Sequence, residues 1–358
     1  MKDSYGREIT YLRLSVTERC NLRCRYCMPE EGICKKMHEE MLTEDEMIMA
    51  VRAAASLGIR KLRITGGEPM VKRNLLSICE RAAKVPGIQE VCMTTNATLL
   101  ADAAGQWENA ENGVNDRSAG QGDQSTAMRR IPRNIAQAIR QAGVNRLNIS
   151  LDTLDPQKYA WITRRGTLES AQKGIHAALE AGFDKIKINT VLLGGFNDDE
   201  VPELAALTKT YPVDLRFIEL MPMSGDEEFG PKAYIPVQKV LEMLPSLVPF
   251  TDKAVQVQKM PHEGVATMYH FPGAPGRIGL ISPLQQHFCA ECNRIRVTAD
   301  GIIKPCLHSL EEYSLKGLDE EGMRRMLEKA ILAKPQWHGT LSYEERSHSA
   351  RPMNRIGG

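Results

Sequence analysis

The chain has almost no net charge: 46 Lys and Arg stand against 45 Asp and Glu, a formal +1. A balance this close gives no support for bulk electrostatic binding to nucleic acid or membrane surfaces, so recognition has to be local. No window approaches the 18 consecutive apolar residues of a membrane span, and the opening stretch MKDSYGREITYLRLSV lacks the apolar segment of a signal peptide. The expectation is a soluble cytoplasmic protein with no export signal. A disulfide framework is missing too, because six of the nine cysteines fall into two groups far apart in the chain. Grouped cysteines in a reducing compartment point to metal. Finally, the first group has no fourth member. In TERCNLRCRYCMPEEG the cysteines Cys20, Cys24 and Cys27 stand at C-x3-C-x2-C, and Cys34 lies beyond Pro29 and a glycine.

Apolar residues make up 42% of 358, enough for a large core. That length predicts a barrel-sized domain with a smaller appendage. Short β-branched runs begin near residues 11, 61, 90, 146, 185 and 214, and amphipathic, alanine-rich stretches such as TEDEMIMAVRAAASLGI, LLSICERAAKV and TLESAQKGIHAALEAGF lie between them. This strand-helix alternation predicts a parallel α/β sheet, with periodicity leaving open whether it is doubly wound or barrel-like. Ligands in either case sit beyond the strand C-termini. Cys20 follows the first strand, Gly66-Gly67-Glu68-Pro69 the second, Thr95-Asn96 the third and Asp152 the fourth, which predicts one shared site. Residues 106–130 are rich in Gly, Asn, Gln and Ser and read as a flexible insertion. It interrupts a helix running from LLADAAG to IAQAIRQAGV. The predicted division is a core over 1–230 and a separate C-terminal layer over 231–358, where the alternation fades.

Thiolate is the form that binds metal, and Arg19, Arg23 and Arg25 are expected to favour it. Three thiolates on a four-iron cubane leave one iron open to a small molecule, just as catalytic zinc sites keep an open position. Spacing favours iron and sulfur over zinc, with zinc and inert buried thiols as alternatives. The second group, Cys289, Cys292 and Cys306, has spacing C-x2-C-x13-C; His308 could instead complete a zinc site of three cysteines and a histidine. Within that group NRIRVT reads as a strand with Arg294 and Arg296 on one face. Together with Arg13 they suit a polyphosphate through bidentate bonds, although a solvated or salt-bridged strand face is the plainer reading of arginines alone. Cys79 and Cys92 occupy apolar positions of a helix and a strand; these two and Cys34 are read as non-ligands.

The cysteine triplet with Tyr26 before its last member, followed by GGEP after the second strand, resembles the radical S-adenosylmethionine superfamily. In that superfamily the open iron holds the amino and carboxylate groups of S-adenosylmethionine, and the reduced cluster releases a 5'-deoxyadenosyl radical. A carboxylate such as Glu68 can accept bonds from an ammonium, and glycines let backbone approach a ligand. LRLSVTERCNLRCRYCMP, KLRITGGEP, MTTNA, LNISLDTL, KIKINTVLL, LRFIELMPM, FCAECNRIRVTADG and the final Gly357-Gly358 narrow the resemblance to a branch that cyclises GTP in molybdenum cofactor biosynthesis. The likeness runs nearly the length of the chain.

That resemblance implies a six-stranded partial α/β barrel of TIM-like type, closed by a C-terminal region with a second 4Fe-4S cluster. It implies S-adenosylmethionine at Tyr26, Gly67, Glu68, Ser150 and Met221. GTP is expected at Arg13, Arg63, Thr94, Lys187 and the strand Arg294, Ile295, Arg296, with its purine on the second cluster. Arg216 is a further active-site cation, and the Gly357-Gly358 tail is expected to reach the site. The implied reaction removes the ribose C3' hydrogen and joins C3' to guanine C8. An electron donor of the flavodoxin or ferredoxin class and a downstream cyclic pyranopterin monophosphate synthase are the implied partners. Self-association into a homodimer is a further expectation. A peptide-modifying enzyme of the superfamily typically carries a longer cysteine array, and a zinc-stabilised nucleotide-binding protein is the alternative of another class. Ala97 departs from the branch, which usually has glycine there; a positive φ at that position would leave the Thr94–Asn96 loop in doubt.

Overall fold

The structure is a computed structural model that describes residues 1–33, 37–104, 132–223, 229–250, 265–284, 288–339, 341–342, 347, 349 and 351–357. The predicted insertion over 106–130, Cys34 and Gly358 lie outside the described residues. Six strands appear where the β-branched runs predict them: β1 (Tyr11–Ser15), β2 (Lys61–Thr65), β3 (Glu90–Thr95), β4 (Arg146–Ser150), β5 (Lys185–Leu192) and β6 (Val213–Glu219). Between them lie α1 (Glu44–Ser56), α2 (Leu75–Ala83), α3 (Ile135–Gln141), α4 (Pro156–Thr163), α5 (Leu168–Glu180) and α6 (Val201–Thr210). Local chemistry marks the helix starts. Thr43 and Glu46 form a capping box on α1, and Asp155 caps α4 just before Pro156.

These strands alternate, except near the ends of β5 and β6, where Val191 and Ile218 take polar-face positions and Glu219 an apolar-face one. Leu12, Leu14, Leu62, Ile64, Val91, Met93, Leu147, Ile149, Ile186, Ile188, Leu215 and Phe217 are buried in one continuous apolar cluster with the helices. Their neighbours Arg13, Arg63, Thr94, Asn148, Lys187 and Arg216 carry polar groups on the opposite face. All adjacent pairs from β1 to β6 are parallel, so these six strands form the partial barrel.

Residues beyond 230 add α7 (Lys239–Met243), β7 (Val248–Pro249), β8 (Thr267–His270), β9 (Arg277–Ile281), β10 (Arg294–Val297), β11 (Ile302–Lys304), β12 (Tyr313–Ser314) and α8 (Glu320–Leu332). These strands continue the same sheet at both edges. β9 runs parallel to β6, and β10 runs parallel to β1 with Arg296 opposite Arg13. Antiparallel strands β8 and β7 follow outside β9, and β11 and β12 outside β10, giving one sheet of 12 strands that does not close. α8 packs on α1.

The expected helix across the insertion is not continuous. Leu99–Asp102 form a turn, Ala103 bridges Asn134, and α3 starts only after Asn134, whose side chain accepts the Gln137 N–H. The Ile135 and Ala136 N–H groups donate to Asp102 and Leu100 at 3.0 Å, so the ends of the excursion are pinned together. An N-cap asparagine competes well with helix continuation, which is why the interruption holds.

Candidate active site

Beyond β1 the chain enters the loop of Cys20, Cys24 and Cys27, and backbone bonds fasten that loop to the turn after β2 and to the end of α4. The N–H groups of Gly67 and Glu68 donate to Thr17 and Arg19 carbonyls at 2.8 Å, and those of Arg23 and Arg25 donate to Thr163 and Ile162 at 2.9 Å. A Cβ on Gly67 would lie 2.3 Å from the Arg19 carbonyl oxygen, so the cysteine loop's own backbone excludes a side chain there.

Burial pushes the Cys20 thiol up to about 11 and the Cys27 thiol up to about 12; Cys24 also rises through burial, with Cys27 and Asp152 adding like charge. This corrects the expectation that neighbouring arginines hold the thiolates: desolvation outweighs them. Arg23 instead donates to the carbonyls of Cys20 at 2.6 Å and Leu22 at 2.8 Å. Arg25 donates to Trp161 O at 2.8 Å and lies 4.3 Å over its ring. Both hold the loop's shape.

The Tyr26 hydroxyl donates to Asp152 Oδ2 at 2.6 Å, and Asp152 Oδ1 accepts the Val191 N–H at 2.8 Å. Burial raises Asp152 to about 6. Glu68, 1% exposed, accepts from Asn96 N–H at 2.7 Å, Thr95 Oγ1 at 2.8 Å and Met70 N–H at 3.1 Å. Burial nonetheless carries it to about 7. Those bonds tie the GGEP turn to the end of β3 and occupy three of a carboxylate's roughly four acceptor sites. Ala97 does adopt φ +65°, yet the Thr95–Asn96 turn keeps its bonds, with the Ala97 N–H on Thr95 Oγ1 at 3.0 Å. Ser150 ends β4 opposite Asn189, and Met221 lies just past β6.

Cations crowd the polar face. Arg13 stands in register with Arg63 on one side and Arg296 on the other, while Lys187 and Arg216 share the polar face on β5 and β6, opposite Asp214 and Asn189. Arg63 donates to the Tyr11 hydroxyl and, at 3.4 Å, to Thr94 Oγ1. Burial first, then neighbouring guanidinium charge, lowers Arg13; Arg296 falls to about 10 by burial and Arg294, and Arg216 to about 10 mainly by burial. Lys187 drops to about 7 through burial, Arg216 and Arg63. On the same face Asn148 Oδ1, Asn189 Oδ1 and Arg216 Nε are buried without hydrogen-bond partners. A wall of crowded cations and orphaned polar atoms fits a polyanion with hydrogen-bonding edges. Ile295 turns its side chain away into the apolar cluster, so it can offer this face only backbone.

The chain's tail enters this wall. The Gly357 carbonyl accepts from Arg296 at 2.7 Å and from Arg13 at 3.2 Å, while Asn354 Nδ2 donates to the Glu18 carbonyl at 3.5 Å and Arg355 pairs with the Glu18 carboxylate at 3.5 Å. The tail thus connects the root of the cysteine loop to the arginines.

Cys289 and Cys292 flank a short turn, and Cys306 follows β11. His308 Nδ1 is hydrogen-bonded to Ser347 Oγ at 2.9 Å, and burial beside His338 pushes its pKa to about 3. Among the described residues, no group of three or more His, Cys, Asp or Glu side chains is placed to hold a metal ion. Zinc needs its sulfurs gathered at about 2.3 Å from one centre. Within each set the thiols raise one another by like charge, Cys24 through Cys27 and Cys20 and Cys289 through Cys306 and Cys292, which fits clusters in which each cysteine takes a different iron.

Several participants escaped the sequence reading: Tyr11 on Arg63, the bond that joins Tyr26 to Asp152, and the asparagines Asn148 and Asn189. For Tyr11, Asn148 and Asn189 the parity of polar residues within apolar strands was the available signal, since each shares a face with a predicted site residue.

Residues 14–116 and 124–208 match the family described as the Radical SAM superfamily, and residues 213–340 match Molybdenum Cofactor Synthesis C. Among solved structures, "Native anSMEcpe with bound AdoMet" superposes with a TM-score of 0.57 at 12% identity, covering 93% of this chain and 82% of that one, a likeness of fold. Fold and site together define a radical S-adenosylmethionine protein. Curated relatives of the same length carry the resemblance further. The GTP 3',8-cyclase of Alkaliphilus oremlandii is 40% identical over 364 residues, covering 100% of both chains, and that of Peptoclostridium acidaminophilum is 40% identical over 362, covering 99% of this chain and 98% of its own. The chain belongs to the GTP 3',8-cyclase family.

Proposed function

We propose that the chain converts GTP to 3',8-cyclo-7,8-dihydro-GTP, the first step of molybdenum cofactor biosynthesis, as a lyase with two 4Fe-4S clusters and S-adenosylmethionine. Cys20, Cys24 and Cys27 hold one cluster, and Cys289, Cys292 and Cys306 the other. When bound and reduced, the first cluster with S-adenosylmethionine supplies the 5'-deoxyadenosyl radical that removes the ribose C3' hydrogen, so that C3' can join guanine C8. Tyr26, Gly67, Glu68, Ser150 and Met221 orient S-adenosylmethionine. Arg13, Arg63, Lys187, Arg294 and Arg296 neutralise the triphosphate, with Thr94 and the Ile295 backbone beside them, and Arg216 completes the charge on the far side. The observation that carries this reading is the tail: one segment touches Glu18, at the root of the cysteine loop, through Asn354 and Arg355, and the Arg13–Arg296 pair through Gly357. Such a bridge couples nucleotide occupancy to the radical centre. Water exclusion and close placement are what a primary radical demands.

No helix among the described residues is long and apolar enough to cross a membrane. A cytoplasmic location suits oxygen-sensitive clusters, a donor of the flavodoxin or ferredoxin class, and a downstream cyclic pyranopterin monophosphate synthase. The division into a core over 1–230 and a cluster-bearing region over 231–358 belongs to the same reading.

The test is anaerobic incubation of reconstituted protein with S-adenosylmethionine, dithionite and GTP. Formation of 5'-deoxyadenosine with matching loss of GTP is expected. Colourless protein with stoichiometric zinc, or 5'-deoxyadenosine formed with GTP untouched, overturns the reading.

A further inference from the structure

The second thiol group is braced by a buried ammonium. Lys334, 3% exposed, follows the end of α8 and reaches into the C-x13-C hairpin. Its Nζ donates to the carbonyl of Pro305 at 2.8 Å and to that of Arg294 at 2.9 Å. Pro305 immediately precedes Cys306, and Arg294 lies two residues after Cys292. Two of the ammonium's three donors are thereby committed to peptide groups beside Cys292 and Cys306.

Lys334 is itself held from the other end of the chain. Arg7, paired with Asp3, donates to Pro335 O and Cys289 O at 2.7 Å, to Gln336 O at 2.9 Å and to Lys334 O at 3.4 Å. Two cations therefore link the backbone around all three cysteines. Neither side chain lies in the arginine row on β1, β2 and β10.

We propose that Lys334 is a positioning residue of the second cluster, fixing the separation of Cys292 and Cys306 and supplying the fixed positive charge that sets the cluster's reduction potential. The proposal rests on the reading that Cys289, Cys292 and Cys306 bind a cluster. A buried cation held against the peptide groups beside two ligating cysteines stabilises the more negative, reduced state, so the potential stands higher with the lysine than without it.

The experiment uses full-length protein with Cys20, Cys24 and Cys27 changed to alanine, so that only the second cluster reports. In this background Lys334→Gln and Lys334→Arg are compared by iron and sulfide content and by EPR-monitored redox titration. The expected result is a lower midpoint potential for Lys334→Gln with partial iron loss, and a potential near the parent's for Lys334→Arg. An unchanged potential and full iron in Lys334→Gln overturn the proposal. Equal potential shifts in both variants overturn its electrostatic part, leaving charge irrelevant. To separate a general folding defect, Lys334→Gln is also made with all six ligand cysteines otherwise intact: loss of the first cluster together with the second, and of the circular-dichroism signal, overturns it as well. If the parent background binds no iron, the cluster assignment has failed, a result distinguishable from failure of the lysine's role.

Discussion

Replacing Gly174 with alanine tests the packing behind the site. The residue lies inside α5, where a Cβ would sit 1.9 Å from the Ala97 carbonyl oxygen and 3.2 Å from the Ala97 methyl. In an unconstrained helix the substitution gains about 1 kcal/mol. Here the opposing atom is backbone, in a turn fixed by the Asn96 N–H on Glu68 at 2.7 Å and the Ala97 N–H on Thr95 at 3.0 Å. Overpacking against atoms that cannot rotate away costs about 3 kcal/mol, the upper end of the usual range, so the net loss is about 2 kcal/mol. For a chain of this size that corresponds to a fall in Tm of roughly 3 °C. Thermal unfolding followed by circular dichroism under anaerobic conditions measures it. Because the displaced turn carries Asn96, whose amide lies 4.0 Å from the Cys20 sulfur, S-adenosylmethionine affinity should fall as well. An unchanged or higher Tm would refute the reasoning, since helix propensity would then have prevailed.

GTP affinity should weaken as pH rises through about 7, because Lys187 loses its proton there in the free protein and a triphosphate favours the charged form. Calorimetry in buffers of different ionisation enthalpy should show proton uptake on binding above that pH, little below it, and none attributable to this residue in Lys187→Met. Tyr26→Phe removes the 2.6 Å bond to Asp152 and should cost about 1–2 kcal/mol in denaturant unfolding; the Asp152 carboxyl, already at about 6 through burial, should move higher by losing a bond that lowered it. Cys289→Ser should retain about four of eight irons per chain by metal analysis and abolish GTP turnover; full turnover would remove the second cluster from the reaction.

The six barrel strands were legible because period-2 alternation and β-branching coincide in each, as in RLNIS over β4 and KIKINTVL over β5. Most of the later sheet was not. β7 and β12 have two residues each and β11 three, too short to display a period, and their places come from edge pairing. The cysteines and arginines were readable from spacing and strand parity. Lys334, Arg7 and the Tyr26–Asp152 pair were not, because contacts across 40 to over 300 residues leave no local pattern. The arginines beside Cys20 were read as electrostatic when burial sets the thiol's state and the guanidiniums serve carbonyls instead.

The alternation along the barrel strands separates two burdens. Hydrocarbon that resists unfolding faces the helices, whereas the inward positions contribute charge and hydrogen bonds to an unclosed trough. Substitutions of one parity can therefore alter substrate preference while leaving the other parity to preserve the scaffold, a partition that makes the same strand framework readily adaptable to new chemistry.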